Sequence, residues 1–155
     1  MQKQSSNLAA WSSAVRESTL KRLRLVSEGQ ENWRPVFGAM GIAGIAHHIL
    51  DSDLWLFEKL KNPALSALKD ADPTYNIAGY QAFLDIIASL ARAGTGRSAL
   101  IEGLTSSELA RTMPDDRFGP EVSVWWEIVR GNLDHETHHR GQLAAYLRIA
   151  QIMTS

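Results

Sequence analysis

The sequence predicts an all-α fold, a four-helix bundle with one long connection before its last helix. Three observations carry that reading. Apolar residues recur at three- and four-residue steps through four long segments. No segment shows the two-residue alternation of a half-buried strand, and no internal repeat is present. The length of 155 residues suits one domain with its own core and is short for two.

The first helix is expected over residues 6–28, where Leu8, Trp11, Val15, Thr19, Leu23 and Val26 keep helical phase. Gly29 is its expected stop, and Trp33-Arg34-Pro35 belongs to a connector. The second helix, residues 40–61, ends before Pro63. Ile42, Ile45, Ile49, Leu54, Trp55 and Leu56 make it apolar round much of its circumference, which predicts deep burial. The third opens near Ala78, after the turn-like Asp72-Pro73-Thr74. Phe83, Ile87, Leu90, Gly94 and Ile101 hold phase straight through Gly94-Thr95-Gly96, so one helix is expected to about Gly103. The two glycines cost a helix about 1 kcal/mol each relative to alanine, which points to close approach by a neighbour.

Residues 105–120 are the long irregular stretch. Thr105-Ser106-Ser107-Glu108 has the form of a capping box, and Met113 to Pro120 reads as loop. The fourth helix starts at Ser123 as N-cap and runs to about Ala150.

Bulk chemistry excludes several functions. A net charge of −1 without an arginine-lysine stripe argues against nucleic acid as a partner. No apolar run approaches the ~18 residues of a membrane span, and the first residues lack a secretory core, so a cytoplasmic protein is expected. There is no cysteine, so any metal must be held by histidine, carboxylate, amide or water.

The chemistry concentrates in His135-Glu136-Thr137-His138-His139-Arg140-Gly141-Gln142. His135 and His139 are four apart, hence on one helix face one turn apart. The string also fits the zinc-protease pattern His-Glu-x-x-His. That chemistry needs a third protein ligand, normally downstream, and nothing after His139 is a histidine or an acid. Upstream stand His47 and His48. His48 shares a row with Ile45, Ser52 and Trp55, whereas His47 precedes Asp51 by four and suits a flank pair. On the last helix Ile128, Asn132, His135, His139 and Tyr146 follow the inward stripe. Glu136 and Arg140 are spaced as a flank ion pair, and His138 is spaced to pair with Asp134. His48, His135 and His139 thus form a candidate facial set with open positions left on an ion. Buried or surface-paired histidines give the same spacing.

Two blocks resemble the DinB-like (DinB/YfiT) superfamily of metal-dependent enzymes. One is Ala46-His47-His48-Ile49 with Asp53 and Trp55. The more specific is Asn132-Leu133-Asp134-His135-Glu136-Thr137-His138-His139-Arg140-Gly141-Gln142-Leu143, followed by Tyr146-Leu147-Arg148. Arg16 to Leu20 and Trp33-Arg34-Pro35 are compatible, so the resemblance spans nearly the whole chain. It implies a four-helix bundle, usually a homodimer, with His48, His135 and His139 as metal ligands. The implied cofactor is a divalent transition metal, zinc or nickel first. Members of the family are S-transferases using low-molecular-weight thiols such as bacillithiol, mycothiol-dependent enzymes, or hydrolases. The expected partner is therefore a small-molecule substrate, a thiol among the options. The alternative is a non-catalytic metal- or ligand-binding stress protein. Asn132, Arg140, Gln142 and Tyr146 are candidates for the pocket wall, against a role in bundle packing. Trp125 and Trp126 are placed by their position either at a substrate mouth or, preferably, in helix-end packing.

Overall fold

The structure is a computed structural model; it describes residues 2–154, with side chains from 4 to 151. Its long helices are α1 (Gln2–Leu23), α2 (Ile42–Lys61), α3 (Tyr80–Glu102) and a fourth in three parts. The fourth starts as α5 (Val124–Trp126), widens into a π-helical segment (Glu127–Leu133) and continues as α6 (Asp134–Thr154). Between α3 and α5 lie the short α4 (Ser106–Ala110) and strands β1 (Thr112–Asp115) and β2 (Gly119–Ser123). Among the described residues no helix is long and apolar enough to cross a membrane.

The bundle does not follow chain order. α1 packs on α3 and α6, and α2 packs on the same two, so the consecutive helices α1 and α2 stand diagonally across the core. The core has two apolar lobes. One gathers Leu20, Leu23, Ile42, Ile45, Ile49, Phe83, Leu90 and Leu143. The other gathers Leu8, Trp55, Leu56, Ile101, Val124, Ile128 and Leu133. Burial of such side chains stabilises by roughly 1.5–3 kcal/mol each.

Several boundaries and faces differ from the sequence reading. α1 stops at Leu23, well before Gly29. The chain leaves it in tight turns, with Leu25 N–H on the Arg22 carbonyl and Val26 N–H on that of Leu23. Val26 still folds back into the core, which is why it kept phase without being helical. Trp11 is 43% exposed and Leu54 51% exposed. The inward stripe of α1 is instead partly polar, through Ser5, Ser12, Arg16 and Thr19, so apolar periodicity misplaced it. The last irregular stretch holds an antiparallel hairpin pairing Thr112 with Ser123, Met113 with Val122 and Asp115 with Gly119, with a bulge between. Pro114 and Pro120 and the shortness of both strands hid the alternation, of which Met113, Asp115 and Val122 are the buried members.

Other local readings hold. Thr105 and Glu108 make the capping box, and the Ser123 side chain caps the fourth helix at the Trp126 N–H. α3 runs unbroken through Gly94 and Gly96. Only Gly94 serves a close approach: a Cβ there would lie 2.6 Å from Cγ of Arg16, whereas one on Gly96 meets nothing within 4 Å. The glycine stripe therefore serves contact within the chain and gives no support to a dimer.

Gly94→Ala is accordingly expected to destabilise the fold by about 1–3 kcal/mol, through displacement of a buried, doubly anchored side chain. Gly96→Ala is expected to be neutral or to stabilise by up to about 1 kcal/mol. Urea unfolding of both variants checks the pair; equal effects would contradict the packing described.

Candidate metal centre

The site rests on a polar layer across the middle of the bundle. Arg16 from α1, Asp53 from α2, Arg97 from α3 and Glu136 from α6 are all buried. The Arg16 guanidinium donates to Asp53 Oδ2 at 2.7 Å and to both oxygens of Glu136, at 2.8 and 2.9 Å. Arg97 Nη1 donates to Asp53 Oδ1 at 3.0 Å, to Glu136 Oε1 at 2.6 Å and to Asn132 Oδ1 at 3.0 Å. Thr19 adds its hydroxyl to Glu136 Oε2 at 2.7 Å, and the Asn132 amide donates to Ser52 and Asp53. Burial alone would raise the Glu136 pKa, but its bonds to Arg16 and Thr19 and the two positive charges hold it down at about 2.

This corrects two flank readings. Glu136 does not pair with Arg140 on the surface; it is inside, with two arginines. Asp134 pairs with Arg130 at 2.7 Å, and exposed His138 lays its ring against that of His139. The protease role of Glu136 fails on the same ground, because both its oxygens are already taken.

Asp53 lies five residues after His48, and Glu136 lies between His135 and His139. Anchoring those two acids sets the rotation and height of α2 and α6 and brings three imidazoles together. His135 Nε2 is 2.9 Å from His48 Nε2 and 3.1 Å from His139 Nε2. The ligand atoms of all three lie within 4.8 Å of one another. Three nitrogens each ~2.1 Å from one ion stand about 3.4 Å apart in a tetrahedron and about 3.0 Å apart at right angles. The spacing found fits such a set.

The protonation chemistry fits it too. His139 Nδ1 donates to Gln142 Oε1 at 2.7 Å, which leaves its Nε2 with a free lone pair. Burial, then the neighbouring imidazoles, push His135 down to about 3. Burial also brings His139 to about 4 against the opposing bond from Gln142, and it lowers His48. Neutral imidazoles are what a metal requires. His47 stands apart, half-exposed, with Nδ1 3.2 Å from Asp51.

A family model described as the DinB superfamily matches residues 13–143, most of the chain and all three histidines. The chain belongs to the DinB superfamily. No curated protein matches it. Among solved structures, the DinB-like protein YjoA of Bacillus subtilis aligns with a TM-score of 0.69 at 22% identity, over 94% of this chain and 92% of that one. YfiT of Bacillus subtilis, described as a probable metal-dependent hydrolase with an unusual four-helix bundle topology, aligns with a TM-score of 0.71 at 15% identity, over 99% and 90%. Such identities establish a common fold.

Around the three histidines of this superfamily member lies a cavity of about 380 Å³, also lined by Met40, Arg117 and residues 68–71. A second cavity of about 590 Å³ meets it at His48 and is walled by His47, Asp51, Trp55 and Tyr75. Of the wall candidates from sequence, Gln142 supports a site histidine. Asn132 is buried in the polar layer, and Tyr146 packs edge-on against Trp33, 5.7 Å between ring centres. Arg140 and the two tryptophans line neither cavity; Trp125 packs on the core. Sequence reasoning missed Arg117, which reaches the site from the hairpin turn, 18 residues upstream of His135 and with no local signature.

Glu136→Gln is expected to cost about 3–5 kcal/mol, because two buried guanidinium groups would share one remaining carboxylate. The sign with pH follows from the lowered pKa. The stabilisation by Glu136 is complete above its ordinary value of 4.5 and is lost as pH falls from there to about 2. Urea unfolding from pH 7 to 3 should show that part of the acid loss in the native chain and not in the variant.

Proposed function

We propose that His48, His135 and His139 hold one divalent transition metal through Nε2, and that the chain is a metal-dependent enzyme acting on a small molecule, of hydrolase type. The observation that carries this is the convergence of three buried-to-half-buried, neutral imidazole nitrogens on one point beside a cavity. The likeness to YfiT, described as a probable metal-dependent hydrolase, supports the same reading. A divalent ion held by three imidazoles supplies a Lewis acid with open positions, able to lower the pKa of a water or a thiol.

The residues of the chain do the rest. Gln142 fixes the tautomer and ring orientation of His139, as outer partners of metal-binding histidines do. Asp53 and Glu136, clamped by Arg16 and Arg97, keep α2 and α6 in register. Trp55 walls the adjoining cavity, and the segment 68–71 lines both cavities as their rim. The same open positions accept a low-molecular-weight thiol in place of water, which would make the chain an S-transferase. Zinc and nickel are the ions we expect first. A non-catalytic metal-binding bundle is the third outcome.

Three measurements on native chain, His135→Ala and His139→Ala separate these outcomes: metal content, melting temperature and turnover with ester, amide and thiol-conjugation substrates. The variants are expected to lose the metal and at least 100-fold in activity while still unfolding cooperatively, since the two apolar lobes do not depend on the ion. Full turnover without metal would refute metal catalysis. Loss of the fold would make the site structural.

We also propose, from the family, a cytoplasmic homodimer. Light scattering at micromolar concentration is expected to give twice the mass of one chain; a monomeric mass would overturn the dimer.

A further inference from the structure

Arg16 and Arg97 are buried and Arg117 is exposed at the hairpin turn, and the three differ in what their guanidinium groups leave unspent. Arg16 and Arg97 each donate from Nε, Nη1 and Nη2 to groups inside the bundle. Arg117, at the turn between β1 and β2, donates from Nε and Nη2 to the Asp115 carboxylate at 3.1 and 2.9 Å. Its Nη2 also lies 3.5 Å from Glu127 Oε2. Nη1 has no partner among the described residues.

The group is nevertheless held firmly. Its centre lies 4.7 Å from the Trp55 ring and 4.9 Å from that of Phe118, an aromatic clamp. The Arg117 backbone N–H is also tied to Asp115, at 2.7 Å. Gly131 in the π-helical segment makes room: a Cβ there would lie 3.1 Å from Arg117 Nη2 and 3.0 Å from Glu127 Oε2. Burial, then bonding to Asp115, pushes Glu127 up to about 8, so of the two carboxyls Asp115 carries the charge that fixes the arginine. Lys59, buried in α2, donates to the carbonyls of Pro63, Leu65 and Pro114 and so ties the start of the 62–79 connection and β1 to α2. The other charges on the cavity, Lys69 and Asp70, are exposed and of opposite sign.

We propose that Arg117 is a substrate-binding, specificity-determining residue: its Nη1 takes the anionic end of a small acid whose reactive group lies at the three histidines. This rests on the metal reading of that site. A guanidinium on the cavity wall, with two nitrogens spent on a buried carboxylate, two aromatic rings against it and one nitrogen unpartnered, is pre-oriented for an incoming oxyanion, so little rotamer freedom is lost on binding. Neutral substrates of the same shape leave that donor unmatched.

The test uses full-length protein loaded with cobalt(II), whose visible absorption reports ligands joining the ion. It is titrated with succinate monohydroxamate and with the neutral carboxamide of the same length. Native protein is expected to bind the acid about tenfold more tightly than the amide, the preference one charge-assisted hydrogen bond gives. Arg117→Gln should abolish the preference, Arg117→Lys should keep part of it, and Lys69→Gln should leave it intact. Absence of a preference in the native protein, its survival in Arg117→Gln, or its loss in Lys69→Gln overturns the proposal while the metal reading stands. Should Arg117→Gln fail to fold, the native comparison, Arg117→Lys and Lys69→Gln still decide the matter. If cobalt is not taken up, or neither hydroxamate alters its spectrum, the metal reading itself falls and this proposal with it.

Discussion

The arrangement depends on one electrostatic constraint: each helix of the bundle contributes one charged side chain to a single buried, neutral layer. Arg16 and Arg97 bring two positive charges, Asp53 and Glu136 two negative ones. Removing any partner leaves a charge in a medium that solvates it poorly, a cost of several kcal/mol. The layer need not stabilise the protein more than an apolar core of the same volume would. What it does is specify. Helices that rotate by one residue or slide by one turn break bonds that nothing else replaces, so the diagonal placement of α1 and α2 is enforced.

The candidate site follows from that placement. His48 reaches His135 and His139 because Asp53 and Glu136, on the same two helices, are already locked to the same arginines. The π-helical segment also contributes. Its wider turns bury Glu127, Asn132 and Leu133 together, and α6 then leaves it with both histidines on the cavity side. The hairpin and the 62–79 connection close the open end, and buried Lys59 joins them to α2 through three carbonyls. The site is thus framed by groups with no other outlet for their bonds, which favours the preorganisation that catalysis needs.

Much of this was legible in the sequence, and the failures share a cause. Helix periods are local, and so is the four-residue spacing of His135 and His139, so the bundle and that pair could be read directly, whereas His48, 87 residues away, joined them only through helix phase and the family resemblance. Buried charge has no local signature. Glu136 is spaced from Arg140 as a surface pair would be, and only the arrival of Arg16 from 120 residues away decides otherwise. The inward face of α1 was misread at Trp11 because Ser12, Arg16 and Thr19 line the interior where apolar residues were sought. The hairpin escaped because each strand is short and carries a proline, and with it went Arg117, whose place beside His135 is a long-range consequence of that hairpin.

The central claim is that the four-charge layer holds three imidazoles at the spacing of one metal ion. Anomalous diffraction from a crystal of the zinc-loaded protein addresses it most directly. The account predicts one peak about 2.1 Å from each Nε2 of His48, His135 and His139, with Arg16 and Arg97 still bonded to Asp53 and Glu136. A peak coordinated by His47 or His138, or zinc bound with Glu136 drawn out of the layer to act as a ligand, would contradict it.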